Sequence, residues 1–194
     1  MPLRYNTARP NLAILRLNER IAKYFLGRTM IAILFRPLLS RTSTAHWSLL
    51  FPVTYFFHIL EEYYGGEGYS VYLLRLRGIH LSPTRFLLVQ TIGLTLMIVG
   101  IILARRLRFP NQLSVILGAI TLVNGLTHLI LSLVYSEYVP GLITSLILWI
   151  PLGLVTLVGL TPMMRESRYW LCITVGVGIC GIIELITSKS GGLF

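Results

Sequence analysis

Five ionisable side chains lie inside or at the edge of long apolar stretches of this sequence, where an ionisable group is costly and requires an explanation. They are His58, Glu61, Glu62, His128 and Glu184. The first three form the pattern His-x-x-Glu-Glu. At about 100° per residue, positions i, i+3 and i+4 of a helix fall within an arc of roughly 100°. These three side chains can therefore face one place.

The other polar side chains that could take part in chemistry lie in two later apolar stretches. Asn124 and His128 are spaced i, i+4 on one face of a predicted helix, and Glu184 stands alone between isoleucines and leucine. If the first, third and fifth apolar stretches cross a membrane in the same direction, all these residues share one depth. The sequence therefore predicts a single polar cluster built from three helices.

The residue types in this cluster are typical of a metal site. Two imidazoles and one carboxylate can fill three positions of a tetrahedral zinc site and leave the fourth for water, with a second carboxylate as a base. We predict that His58, Glu62 and His128 are the metal ligands and that Glu61 is the general base. We predict supporting roles for Asn124 and Glu184, and the donor set equally suits iron or manganese.

Structural explanations for the same residues stay open. The glutamates at the end of their apolar stretch can simply be solvated. His58, Asn124 and His128 can hydrogen-bond neighbouring helices, because polar side chains link helices in membranes. Glu184 can reach the water interface.

The amino-acid composition indicates the environment of this cluster. The chain has 194 residues, of which 55% are hydrophobic and 12% charged, and its mean hydropathy is +0.75. Segments of about 20 apolar residues span a hydrocarbon core of about 30 Å. Such segments must be helical here, because the alternation of a membrane barrel is absent. We predict an all-α integral membrane fold with about five transmembrane helices, at Ala45–Glu62, Phe86–Ala104, Asn111–Val134, Gly141–Leu160 and Tyr169–Thr187.

The distribution of basic residues predicts the orientation. The net charge is +10. Thirteen of the basic residues precede the first predicted span or lie in the loops between spans two and three and between spans four and five. The other four lie on the opposite side. Because cytoplasmic loops are enriched in Lys and Arg, we predict a multi-pass protein of the cell membrane, with a cytoplasmic N-terminus and an external C-terminus. The basic excess thus reflects topology and indicates no nucleic acid partner.

The N-terminal segment, residues 1–44, is distinct from the transmembrane domain, residues 45–194. It alternates apolar side chains with Arg and Lys, which predicts a basic amphipathic helix lying in the headgroup layer. A partly ordered tail that carries topology charges is the alternative. We expect membrane lipids as partners, and a protein partner or an oligomer through this segment is a further hypothesis.

Three motifs in order resemble a known family. His58-x-x-Glu61-Glu62, Asn124-x-x-x-His128 and Tyr138-x-Pro140-Gly141 resemble the signature of the HXXEE-domain family of integral membrane proteins. The resemblance extends from Ala45 to the end of the chain. It implies a transmembrane helical fold and these signature positions, with Tyr138 in a supporting role. It implies no reaction, because the family has no defined biochemical role.

The leading functional hypothesis is a membrane-embedded, metal-dependent enzyme that acts on a lipid or another apolar substrate near the outer leaflet. It would be a hydrolase or a lipid-modifying enzyme. One alternative is a small proton- or cation-coupled transporter that uses Glu61, Glu62 and Glu184. Another is an accessory or structural subunit of a membrane complex.

Overall fold

A computed structural model describes residues 44–190 of the chain, with side chains through Leu185. The described residues form an all-helical bundle, which confirms the predicted fold class. The predicted amphipathic N-terminal helix falls on residues 1–43, outside the described residues.

Seven helices follow one another in the described part of the chain. They are α1 (Thr44–Trp47), α2 (Leu50–Tyr64), α3 (Tyr69–Arg77), α4 (Pro83–Arg106), α5 (Pro110–Tyr135), α6 (Leu142–Met163) and α7 (Glu166–Ser190). The helix α6 contains a π-helical turn at Ser145–Trp149 and ends in a 3-10 turn at Thr161–Met163. Proline opens α4 and α5, where its missing N–H costs no hydrogen bond.

The helices α4, α5, α6 and α7 are long and apolar enough to cross a membrane. Their outward faces carry large apolar side chains: Leu96 is 66% exposed and Leu171 is 63% exposed. Exposed apolar area on this scale is typical of a surface that contacts lipid or another protein. Four of the five predicted spans are therefore present, and the chain is compatible with a multi-pass membrane protein.

The first predicted span is not among these four, because the helix in this region is interrupted. The helix α2 has 15 residues, which corresponds to a length of about 22 Å. Pro52 lacks the N–H that would bond the carbonyl of Ser48, and the chain between α1 and α2 forms a turn at Ser48 and Leu49.

The interrupted segment nevertheless lies beside α4 over most of the length of that helix. Near its start, the Arg105 guanidinium donates to the carbonyl of Ala45. Near its end, the rings of Tyr63 and Phe86 are stacked with centroids 6.3 Å apart. The two segments are therefore antiparallel neighbours, and His58 lies in the second half of α2.

The centre of the bundle is α5, which packs along α6 and α7 and also contacts α1 and α4. Small residues make these contacts close. A Cβ atom added to Gly153 would lie 2.8 Å from the carbonyl oxygen of Gly118, and one added to Gly176 would lie 2.7 Å from that of Ile116. Such close backbone approach stabilises helix pairs in membranes. The packing fixes α5, and with it His128, against α6.

Candidate metal centre

Two imidazoles and one carboxylate converge between α2 and α5. His58 and Glu62 are one helical turn apart on α2, and His128 projects from α5. The Oε1 atom of Glu62 lies 3.6 Å from Nε2 of His58 and 3.5 Å from Nε2 of His128. All three residues are buried, with exposed fractions of 1% to 4%. The structure thus brings together the three predicted ligands.

The spacing of these atoms suits a metal ion. One ligand atom from each residue lies within 4.8 Å of the other two. Tetrahedral coordination with metal–ligand bonds of about 2.0 to 2.1 Å separates neighbouring ligand atoms by roughly 3.3 Å. The two measured separations from Glu62 are within a few tenths of an ångström of that value. The group can therefore hold a metal ion.

The tautomer of His58 follows from its hydrogen-bond partner. The hydroxyl of Thr144 donates to Oε2 of Glu61 at 2.5 Å, and the alternative acceptor, the Gly141 carbonyl, is more distant at 3.3 Å. Thr144 Oγ1 is therefore an acceptor toward Nδ1 of His58, 2.7 Å away. With the proton on Nδ1, the Nε2 lone pair is free, and this atom has no hydrogen-bond partner among the described residues. An outer hydrogen bond of this kind orients a metal-binding histidine.

The Glu61 carboxylate anchors the start of α6. Its Oε1 accepts from the Tyr138 hydroxyl at 2.8 Å and from the Ile143 N–H at 2.7 Å. Its Oε2 accepts from both the N–H and the hydroxyl of Thr144. A carboxylate at a helix N-terminus satisfies free N–H groups and complements the helix dipole. Burial, together with the hydrogen bond to Glu61, raises the pKa of Tyr138, so its phenol stays a donor.

The second oxygen of Glu62 is also fixed from outside the group. The Gln90 amide on α4 donates to Oε2 of Glu62 at 2.6 Å. The carbonyl oxygen of that amide accepts from the Tyr55 hydroxyl, which fixes the direction of the amide. Glu62 therefore keeps Oε1 directed at the two imidazoles.

Aromatic rings and one glycine hold the imidazoles in place. The Trp149 ring stacks on His58 with centroids 3.7 Å apart, and the rings of His58 and His128 meet edge to face at 5.0 Å. Gly141 has a φ of 93°. A Cβ atom on it would lie 2.8 Å from Cε1 of each imidazole. Only glycine fits here, in both space and backbone conformation.

The two residues on α5 and α7 for which we predicted supporting roles are placed differently. The Glu184 carboxylate is 46% exposed and pairs with Arg77 at 3.0 Å. Asn124 is half-buried on α5, one turn before His128. Glu184 does not belong to the group of converging ligand atoms. Tyr138, by contrast, acts on the site through Glu61.

The helix α3 lies beside the site. The Tyr69 ring lies 6.2 Å from that of His128 and 5.9 Å from that of Phe86. Burial and the negative charge of Glu62 raise the pKa of Tyr69, so this phenol stays protonated. At the end of the same helix, Arg75 pairs with Glu67 at 2.6 Å and Glu137 at 2.8 Å. These ion pairs link α3 to the loop before α6.

The sequence reasoning missed four residues that orient the ligands, namely Tyr55, Gln90, Thr144 and Trp149. Gln90 could have been identified from the sequence, because it is the sole amide side chain in the predicted span Phe86–Ala104. A buried amide in an apolar helix requires a partner. Thr144 and Trp149 carry no comparable signal, because hydroxyls and indoles are ordinary in membrane helices.

One comparison with known proteins covers the residues of this site. Residues 49–156 match the family model described as a protein of unknown function with HXXEE motif. The match covers more than half of the chain and includes the ligands, Gln90, Gly141 and Thr144. Glu184 lies outside it. No curated protein and no solved structure matches the chain.

Proposed function

This chain belongs to the HXXEE family of proteins of unknown function, and from its geometry we propose that it is a membrane-embedded, metal-dependent enzyme acting on a lipid or another apolar substrate. The observation that carries the proposal is the convergence of His58 Nε2, His128 Nε2 and Glu62 Oε1. These are three buried ligand atoms, and two of the three residues are oriented by hydrogen bonds from outside the group.

Three protein ligands leave at least one position open on the metal, which is the arrangement of catalytic rather than structural sites. With zinc, the open position would take a water molecule. The metal would lower the pKa of this water and make it a nucleophile, so the reaction would be a hydrolysis. With ferrous iron, two histidines and one carboxylate would form the facial triad of oxygen-dependent enzymes. The reaction would then be an oxidation. The identity of the metal therefore decides the class of reaction.

The surroundings of the site support an apolar substrate. On α2, the side directed away from the buried His58 carries Phe56 and Phe57, which are 50% and 51% exposed, and Leu60, which is 37% exposed. These side chains contact lipid if the helix lies in the bilayer. The site would then be surrounded by lipid, and a substrate that reaches it from the bilayer must first partition into the membrane.

We propose a positioning role for Glu61 instead of the role of general base predicted from the sequence. Its two oxygens already accept four hydrogen bonds, so a proton taken up there would disrupt the start of α6. Through Thr144 the carboxylate keeps the Nε2 lone pair of His58 available.

We also propose that the α1–α2 segment crosses the membrane, which would make five crossings. Its contacts with α4 run from Arg105 to Phe86, so it covers most of the length of a helix that is itself long enough to span. The bias of basic residues then supports a cytoplasmic N-terminus and a metal centre near the outer leaflet.

Metal analysis of the purified full-length chain tests the first half of the proposal. We expect about one zinc, iron or manganese ion per chain, as three protein ligands around an open position imply. His58→Ala, His128→Ala and Glu62→Ala should each lose most of it. His80→Ala is the matched control, because His80 is exposed in the loop before α4. Wild-type protein without metal, or equal metal content in all the variants, contradicts the proposal.

Lipid turnover tests the second half. The metal-loaded chain in vesicles of total membrane lipid should consume one lipid class and release a product over hours, as measured by mass spectrometry. The His128→Ala variant and chelator-treated protein should not. If the metal binds but no lipid changes in a metal-dependent way, the centre is structural and the enzymatic proposal is wrong.

A further inference from the structure

A second polar site lies at the other end of the bundle. Gln90 and Arg105 are 15 residues apart on α4, which places them roughly 22 Å apart along the helix axis. The ends of α4 and α6 and the starts of α5 and α7 meet around Arg105. Between them lies an open cavity of about 540 Å³. None of the residues of the candidate metal centre lines it.

The wall of this cavity is strongly basic. Four guanidinium groups and two side-chain amides contribute to it, from Arg105, Arg108, Arg165, Arg168, Asn111 and Gln112. Glu166 is the acidic residue nearest in sequence, and it forms no ion pair with these arginines in the described part of the chain. Within residues 44–185, no carboxylate therefore offsets the positive charge of this wall.

The start of α5 adds to this charge. Pro110 opens the helix, no side chain caps it, and Asn111 and Gln112 form its first turn at the cavity wall. The free N–H groups of a first turn favour an anion. Arg105 at the cavity wall donates from Nε and Nη2 to the Ala45 carbonyl, which holds its guanidinium at the rim. Planar guanidinium groups bind phosphate through paired hydrogen bonds.

The position of the cavity selects the kind of phosphate. It lies where four apolar helices end, which is the level of lipid headgroups, and Met163 and Met164 give its rim an apolar part. Its volume lies within the range of small-molecule sites. Basic pockets between membrane helices on the cytoplasmic side bind anionic headgroups. We propose that this cavity binds the phosphate-bearing headgroup of an anionic phospholipid from the leaflet at this end of the bundle. The proposal rests on the four apolar helices and is independent of the metal centre.

Native mass spectrometry of the full-length chain in detergent can test this. The probes are phosphatidylglycerol and phosphatidylcholine with the same acyl chains. We expect phosphatidylglycerol to remain bound at concentrations where phosphatidylcholine dissociates. This comparison needs no variant, so it holds even if a substitution impairs folding. Equal retention of the two lipids overturns the proposal.

Matched substitutions locate the site. Arg108→Gln and Arg168→Gln should each weaken phosphatidylglycerol binding about fivefold. Arg106→Gln should leave it within about twofold, because this exposed arginine carries the same charge at the same end but does not line the cavity. Equal weakening by all three variants would mean diffuse attraction to the basic surface, without a pocket.

A competition experiment distinguishes a lipid from a soluble phosphate. Inorganic phosphate at millimolar concentration should not displace bound phosphatidylglycerol, because it makes no contact with the apolar rim. Complete displacement by inorganic phosphate would assign the cavity to a soluble phosphate compound and overturn the assignment to lipid.

Discussion

The Nδ1 atom of His58 lies 2.7 Å from the hydroxyl oxygen of Thr144, which in turn donates to Glu61. The two glutamates of the His-x-x-Glu-Glu motif thus have different tasks. Glu62 faces the two imidazoles, while Glu61 acts on His58 from behind through a hydroxyl. Of these two adjacent glutamates, Glu62 is a candidate metal ligand, and Glu61 is hydrogen-bonded to the Thr144 hydroxyl that contacts His58.

Removing the Thr144 hydroxyl should weaken metal binding without removing a ligand. Thr144→Val keeps the shape of the side chain, but the His58 proton is no longer directed to Nδ1. We expect the metal affinity to fall about 10- to 100-fold, measured by competition with a chelating dye. Thr144→Ser should restore most of it. Thr127→Val is the control, because that half-buried hydroxyl bonds only the carbonyl of Val123 in its own helix. An unchanged affinity in Thr144→Val would contradict the assigned tautomer.

The close approach of Gly141 to both imidazoles predicts a severe effect of a single methyl group. Gly141→Ala should separate His58 from His128 and strain a backbone with a φ of 93°. We expect a loss of bound metal and a stability lower by about 2 to 4 kcal/mol. Gly178→Ala is the matched control, because nothing lies within 4 Å of a Cβ atom there. It should keep its metal and stay within about 1 kcal/mol of wild type. Metal content in Gly141→Ala equal to that of the control would show that the site tolerates the displacement.

The fold class and four of the spans could be predicted from the sequence, because apolar length is a strong signal in a chain with few charges. The spans predicted at Phe86–Ala104 and Asn111–Val134 lie within α4 and α5. The first span was harder to predict, since its apolar run is continuous in sequence. Pro52 disfavours a continuous helix because it cannot bond the Ser48 carbonyl and its ring clashes with that group, effects that hydropathy does not register.

The convergence of the three candidate ligands could be predicted, whereas most residues that orient them could not. Helical spacing and the order of the apolar stretches indicated that His58, Glu62 and His128 meet. Thr144 and Trp149 both contact His58 and are five residues apart, which in an α-helix places them about 140° apart around the axis. The π-helical turn at Ser145–Trp149 brings residues five apart over one another. A regular α-helical spacing does not predict this turn and would place the two residues on different faces.

Gln90 should be as important to the site as a residue of the motif. Gln90→Leu leaves the Oε2 of Glu62 and the hydroxyl of Tyr55 without their partner, and Glu62 becomes free to turn. We expect a loss of about 1 to 3 kcal/mol in stability and a metal affinity about 10- to 100-fold lower. Thermal unfolding and dye competition measure the two effects. Thr95→Val on the same helix is the control, since that hydroxyl bonds the carbonyl of Thr91. Equal metal affinities of the two variants would exclude a role for the amide.

The proposed fifth crossing predicts that the two ends of the α1–α2 segment lie on opposite sides of the membrane. In a chain with Cys172→Ala and Cys180→Ala, single cysteines at His46 and Tyr64 can be labelled with a membrane-impermeant maleimide in intact cells. Tyr64 is 76% exposed, and we expect Tyr64→Cys to react from outside and His46→Cys to react only after permeabilisation.

Reference cysteines at the two ends of α5 fix the sides in that experiment, because α5 is long enough to cross the membrane. Ser136→Cys should react together with Tyr64→Cys, since Tyr138 contacts Gly65 and Glu61 at that end. Leu107→Cys should react together with His46→Cys, because Arg105 bonds Ala45 at the other. If Tyr64→Cys and His46→Cys react from one side, α2 enters the membrane and returns. The metal centre would then lie in a re-entrant segment, and the number of crossings would be four instead of the proposed five.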